Sequence, residues 1–509
     1  MSLIPFLDAS GKLGWTQAAL SAAGLTFTWY IVSSVVAWYK LRHIPGPFLA
    51  SFNNIWGFWA ICTGQSNQII ADAQKKYGRV MRVAPDAIST FDPETLFRII
   101  SPRSNYLRSQ WYTNARFDHR GDSVFTMTNT PSHNKRKAKL APAFSGKNVP
   151  FLETKLDKWL TALIKTIRDR IAKGEETIEI GLLIEHFQLD LISELSMGQP
   201  WGNLQANEDH FGYLEMRKTV IPSIQSWLHI PLARKIFMSS VFLKLFAPRT
   251  TDTKGLGLFL GVLEDAVKRR FSVTPEKAPR EQDILDIWIE HGHSARECQL
   301  DLAILVPAGS DTTIMMIRGT LLLLMSTPAV YWKLKQEIRD AISDGRISSP
   351  VTNEEAKSLE YTQAVVREGF RIMMPVNYGF PKQVPDSGDT ICGIPIPGGT
   401  DVYVNYESLM RCEEVFGKDA DIFRPERFLG SGPDVAYKVK VLDLAFGGGY
   451  FTCLGKTLAV IEMNKVFVEL FRNFNFQTAN PEKPWRREVY TTWLVHDFWT
   501  RVTEDTTMG

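Results

Sequence analysis

The sequence predicts a mainly α protein with small β-sheets, in which one amino-terminal transmembrane helix precedes a single large body. Three observations carry that expectation. No charged residue or histidine stands between Leu13 and Tyr39, the longest segments after it have helical periodicity, and strand-like alternation is confined to short pieces. With 509 residues, 44% of them hydrophobic and 22% charged, the chain can bury a large core, so disorder, collagen-like repeats and coiled coil are excluded. Lys and Arg total 58 against 55 Asp and Glu, a net charge of +3 that is too even to mark nucleic acid as a partner.

The uncharged run comes first. As a helix it would span about 40 Å, enough to cross a bilayer with tilt. Trp15, Trp29, Tyr30, Trp38 and Tyr39 suit the headgroup layers, and Lys40, Arg42 and His43 follow at once, which places the remainder on the cytosolic side. A cleaved signal peptide would be shorter and carry small residues at its end, whereas Ser21-Ala22-Ala23-Gly24 lies mid-run. Residues 1–40 therefore read as an anchor, with its helix at about 15–39. His43-Ile44-Pro45-Gly46-Pro47 ends a stiff hinge at 41–47, and 48–509 is one large body. Length alone suggests several domains, yet no Pro/Gly/Ser-rich break marks a boundary.

In the body, Arg79–Ser89, Ile391–Ile396 and Val402–Asn405 alternate as strands do. Lys155–Ala172, Leu300–Met325, Val330–Ile342, Tyr361–Met373 and Cys453–Phe474 read as helices. Five cysteines, none in a C-x-x-C pair, give no zinc or iron–sulfur spacing and suit a reducing compartment.

Three segments carry chemistry. Phe446-Gly447-Gly448-Gly449-Tyr450-Phe451-Thr452-Cys453-Leu454-Gly455 runs into an apolar helix; its glycines permit tight turns and close approach to a flat ligand, and a cysteine at a helix start favours thiolate. A lone cysteine in apolar surroundings is more often inert, so the glycine frame carries this reading. Ala308-Gly309-Ser310-Asp311-Thr312-Thr313 puts a carboxylate and hydroxyls inside a long apolar helix, where they need water or a ligand, although Ser and Thr also bond back to the preceding turn. Pro307 withholds an N–H there and is expected to kink the helix. Glu368 and Arg371 share a helix face, and an arginine from Phe423-Arg424-Pro425-Glu426-Arg427-Phe428 could enclose the carboxylate from a second side.

In this order, with Pro45-Gly46-Pro47 ahead of them, these segments resemble a membrane-bound cytochrome P450 over essentially the whole chain, and Tyr77–Val83 further resembles fungal microsomal members. The resemblance implies heme b (iron protoporphyrin IX), with Cys453 as its axial thiolate and metal ligand. It implies that Asp311 and Thr312 organise water and deliver protons, that Ala308 and Gly309 form an oxygen groove, and that Phe446 and Gly449 belong to the cofactor-binding loop. It makes Glu368, Arg371 and Arg427 a structural lock, and His133, Lys137 and Lys382 propionate contacts. Phe451 stands where the family usually has a cation, and the lysines where arginine is commoner, so the clamp would use point charges.

The expected function is oxidation of a lipophilic small molecule with O2 and NADPH-derived electrons, supplied by NADPH–cytochrome P450 reductase with cytochrome b5 as an optional second donor. The protein would sit in the endoplasmic reticulum membrane and serve fungal secondary metabolism, of mycotoxin type. Lys456 is a candidate contact for the electron donor, and Met373, Met374, Val376, Tyr378, Trp227 and Trp493 are candidate pocket residues. Two alternatives are a P450-fold isomerase or dehydratase that does not use O2, and a non-catalytic heme-binding membrane protein; the Asp311-Thr312 pair weighs against both.

Overall fold

The computed structural model describes residues 15–118, 120–145, 151–227, 229–272 and 282–507. Helices dominate, and the sheets are small. The amino-terminal helix Trp15–Leu41 carries no acidic residue in its first turn and Lys40 in its last, and its apolar side chains are largely exposed. By length and composition it can cross a membrane.

The body is built around the helix Ala295–Met325, which starts at a capping box in which Ser294 and Glu297 satisfy each other's backbone N–H groups. It packs against Ile180–Met197, Gly255–Ser272, Glu360–Ile372 and Lys456–Asn473. Long and apolar as it is, this helix is mostly buried in protein, which distinguishes it from the exposed anchor. It continues through Pro307 without a break.

Among the described residues the largest sheet has five strands, ordered Val80–Ala84, Ala87–Thr90, Asp401–Asn405, Tyr378–Gln383 and Leu107–Arg108. The second and third run parallel; the other neighbours are antiparallel. Arg79–Ser89, which reads as one alternating piece, is a hairpin split at Pro85-Asp86. Ile391–Ile396 likewise folds on itself, because Cys392 (φ 49°) and Gly393 (φ 78°) adopt the left-handed pair that a tight hairpin turn requires. The carboxyl-terminal hairpin Arg486–Val489/Trp493–His496 is tied to the helix Tyr213–Trp227, where the Gln225 side-chain oxygen accepts from the Thr491 N–H at 2.6 Å.

Two glycines set how closely the central helix meets Glu360–Ile372. A Cβ at Gly319 would lie 2.5 Å from the Met373 Cβ, and one at Gly369 would overlap the Thr320 hydroxyl. Gly369→Ala is therefore expected to force the helices apart and lower stability by about 1–3 kcal/mol, read as an earlier urea midpoint with unchanged slope; an unchanged midpoint would show that the contact yields freely.

Candidate active site

The cysteine loop precedes the helix Lys456–Asn473, which begins three residues after Cys453, at the Gly455 cap. Gly447 and Gly449 have φ of 70° and 55°, and the Cys453 N–H donates to the Phe446 carbonyl at 2.7 Å, closing the loop. The glycines serve close packing within the protein: a Cβ at Gly448 would come 2.6 Å from Ile100, and one at Gly449 equally close to the Ile100 carbonyl. The Phe446 ring lies 4.9 Å from that of Phe370. Cys453 is accessible at its tip. Protein around the rest of the thiol pushes its pKa up, while N–H groups of Gly455 and Lys456 and the nearby Lys137 and Lys456 charges pull it down.

Phe451 is surrounded by basic side chains. The Lys382 ammonium lies 3.2 Å from its ring centroid, the Arg108 guanidinium 4.7 Å, and the His133 ring centroid 4.7 Å. Lys137 donates to the carbonyls of Tyr450 at 2.9 Å and Thr452 at 2.5 Å, bracing the loop from outside. Burial, reinforced by the neighbouring positive charges, pushes Lys382 down to about 6 and His133 to about 4. Burial likewise holds Lys137 at about 8, with Cys453 opposing the shift. Among the described residues no carboxylate pairs with Lys382 or Arg108, and the Lys382 Nζ and Arg108 Nε are buried without a hydrogen-bond partner. Such a cluster suits an anionic group, a charge that the two carboxylates of heme b would supply.

The central helix places Ala308, Gly309 and Thr312 at an accessible face in mid-helix. The Thr312 hydroxyl donates to the Ala308 carbonyl at 2.8 Å. Asp311 points elsewhere: it accepts from Arg217 at 2.9 Å and from the Tyr213 hydroxyl at 3.3 Å, both on Tyr213–Trp227. Arg217 also pairs with Glu185, which meets Arg318 at 3.0 Å. Burial raises the Asp311 pKa against the pull of Arg217, whereas Arg318 and Arg217 overcome burial at Glu185 and hold it at about 2. Behind the groove, Gln188 donates to the Gly309 carbonyl at 3.2 Å and to Glu462 at 3.1 Å. Glu462 is fully buried with Gln188 and Thr313 as partners, and burial pushes it up to about 8.

Glu368 receives both forks that its motif suggests. Arg371 donates from Nε and Nη2 at 2.7 Å each, and Arg427 Nε donates at 2.9 Å. Lys456 is 2.9 Å from Asp443. Of the candidate pocket residues, Met374, Tyr378 and Trp493 are buried, while Trp227 is half exposed with its ring 5.2 Å from that of Phe58. A small cavity of about 30 Å³, room for about one water, lies along the turns ahead of Ala308, lined by Ala303, Ile304, Phe117 and Leu260 and by the charged Arg116, Asp118, Glu264 and Arg296.

Fold, cysteine loop and cation cluster together define a heme-dependent oxidoreductase. The cytochrome P450 family model matches residues 45–495. The cytochrome P450 monooxygenase aba1 of Botryotinia fuckeliana (strain B05.10) is 37% identical over 471 residues, covering 91% of this chain and 92% of that protein. Abl1 of Leptosphaeria maculans is 34% identical over 500 residues, with 96% and 87% covered, and ABA1 of Pyricularia oryzae 33% over 504, with 96% and 97% covered; both are also named cytochrome P450 monooxygenases. The chain belongs to the cytochrome P450 family and is a monooxygenase with heme b as its cofactor.

Motif reading missed Arg108, Gln188 and Glu462. Arg108 faces Lys382 across paired strands, a register that no short motif contains. Glu462 stands nine residues past Cys453 on a helix face that is recognisable only once the helix is packed.

Two outcomes are expected. Lys382→Met should accelerate heme transfer to an acceptor globin severalfold, since a cation of the anion-holding cluster is lost; an unchanged rate would remove Lys382 from the cradle. Glu462 keeps its proton up to about 8 when folded, while the unfolded carboxyl loses it near 4.5, so folding stability falls as pH rises through that window. Glu462→Gln should thus gain thermal stability over the parent, little at about pH 5 and several degrees at about pH 8; a pH-independent difference would mean the carboxyl is already ionised.

Proposed function

We propose that this monooxygenase uses O2 and electrons from NADPH, delivered by NADPH–cytochrome P450 reductase, to hydroxylate or otherwise oxidise a lipophilic intermediate of fungal secondary metabolism. In this reading residues 1–40 hold it in the endoplasmic reticulum membrane, and the body from residue 48 faces the cytosol. The observation that carries it is the accessible Cys453 beside a buried cluster of cations lacking carboxylate partners.

Cys453 would ligate the heme iron, and Arg108, His133, Lys137 and Lys382 would hold the propionates. Bound there, heme b supplies the thiolate-assisted oxygen chemistry of its class. The protein's own part is positional. Thr312, back-bonded to the Ala308 carbonyl, presents its hydroxyl oxygen at the groove where a proton or a water can be held. Asp311, with its pKa raised by burial, is the nearby acid, and it takes part when its hold on Arg217 is exchanged for water. Glu368, Arg371 and Arg427 act at a distance by fixing the segment ahead of the cysteine loop.

The deciding measurement is the absorption spectrum of the reduced, CO-bound full-length protein. A red-shifted Soret band is expected, and it should disappear in Cys453→Ser while the fold is retained. A folded parent protein without that band would overturn the assignment of Cys453.

A further inference from the structure

The basic cluster around Phe451 is assembled from separate pieces of chain, and two of them are held by one carboxylate. Asp301, in the second turn of the central helix and 3% exposed, receives Arg136 Nε at 2.7 Å on one oxygen and the Val124 backbone N–H at 2.7 Å on the other. Glu297, four residues earlier and so on the same face, takes Arg136 Nη1 at 3.0 Å on its carboxylate and Nη2 at 3.0 Å on its carbonyl. Arg136 is buried in the helix Thr130–Leu140, between His133 and Lys137 in sequence. Lys139 of that helix donates to the Gly292 carbonyl at 2.9 Å, just ahead of the central helix. On the other side, Val124 opens the stretch whose carbonyls at Val124, Phe125 and Met127 accept from Arg108 Nη1 at 3.0, 2.8 and 3.1 Å. The two oxygens of Asp301 thus keep at one spacing the segment that orients Arg108 and the helix that carries His133 and Lys137.

This arrangement differs from a buried ion pair that only adds stability. Lys335 and Asp505, 2.6 Å apart, form such a pair between the helix Pro328–Ser343 and the carboxyl-terminal segment. Asp301 is instead bonded in two directions, to a guanidinium and to a loop N–H, so its loss would free two segments that end in the same cluster. The His293 ring lies 3.8 Å from the oxygen that meets Arg136, and among the described residues neither of its nitrogens has a hydrogen-bond partner. Burial and the Arg136 charge push His293 down to about 4, so a neutral imidazole does not compete with the guanidinium for that oxygen.

We propose that Asp301 is a positioning residue for the cofactor: it fixes the separation between Arg108 and the helix carrying His133 and Lys137, and with it the grip on the heme propionates. The inference rests on the reading of that cluster as the propionate cradle. Ala308 and Thr312 lie about two and three turns further along the same helix, so cradle and groove are set in one frame.

The test measures heme transfer from the full-length heme-loaded protein to an acceptor globin, together with the propionate-bending band of the resonance Raman spectrum. Asp301→Asn should accelerate transfer severalfold and shift that band, while the red-shifted Soret band of the CO complex stays, since the cysteine loop is untouched. Asp505→Asn, which breaks the other buried pair, should change neither transfer nor the Raman band. In an Arg108→Met background Asp301→Asn should add clearly less than it does alone, because part of its action passes through Arg108. Fully additive effects would overturn the positioning role, as would an unchanged transfer rate or equal effects from Asp505→Asn. If Arg108→Met and Lys382→Met themselves leave transfer unchanged, the cradle reading fails and this proposal with it; if they accelerate it and Asp301→Asn does not, the positioning role alone is lost. Should Asp301→Asn not fold, Arg136→Lys decides in its place. A single ammonium cannot reach all three acceptors of the guanidinium, so faster transfer supports the role and transfer at the parent's rate refutes it.

Discussion

The cysteine loop depends on a carboxylate that never reaches solvent. Glu368 is wholly buried and accepts from Arg371, from Arg427 and from the Arg424 backbone N–H at 2.9 Å. The two guanidinium groups then spend their remaining N–H groups on backbone. Arg371 reaches the carbonyls of Met410 at 2.5 Å and Ala420 at 2.6 Å, and Arg427 those of Asp419 at 3.0 Å and Ile422 at 3.1 Å. Between Met410 and Phe428 the chain has only short helical turns, so its carbonyls lack partners from regular structure. One buried anion thus lets two cations be buried, and those cations give an irregular segment a single conformation. Removing Glu368 would leave Arg371 uncompensated in the core and Arg427 with only Asp419 at 3.3 Å, a loss of about 3–5 kcal/mol, so this interaction fixes the path of the segment as well as adding stability.

Buried charge elsewhere divides the same way. The Asp311, Arg217, Glu185 and Arg318 series closes on itself, its members finding opposite charges within the protein. Lys382 and Arg108 converge on Phe451 and, among the described residues, meet no carboxylate. The phenyl ring in place of a cation makes sense in that setting: a further full charge would add repulsion, whereas an aromatic face attracts ammonium and guanidinium groups and keeps them converged.

How much of this could be read from the chain alone follows from the range of each interaction. The anchor, the central helix and the Glu368–Arg371 pair were legible because periodicity and spacing of three or four residues are local properties. The hairpins at Pro85-Asp86 and Cys392-Gly393 were blurred into single strands because alternation continues through a two-residue turn. Gln188 and Glu462 could not be found this way, since each owes its place to partners more than a hundred residues distant, and Arg108 meets Lys382 only through strand register. The expectation that Asp311 faces the groove with Thr312 failed to include Arg217, for neighbours in a helix point about 100° apart and a motif says nothing of what packs on the other side.

That divergence of adjacent side chains gives the central helix two tasks in one turn. Thr312 serves the accessible face and stays close to its own backbone through Ala308. Asp311 serves the opposite contact, where Tyr213 and Arg217 tie the covering helix to the centre of the protein. Gln188 acts from a third direction, donating both to the Gly309 carbonyl and to Glu462 of the helix that follows the cysteine. A shift of the covering helix therefore reaches the groove through Asp311, one residue from Thr312, while a shift of the cysteine helix reaches it through Gln188. The short stretch from Ala308 to Thr313 is where the helix Tyr213–Trp227 and the helix that follows the cysteine are both tied to the central helix, and these ties account for polar groups being retained in the middle of an otherwise apolar helix.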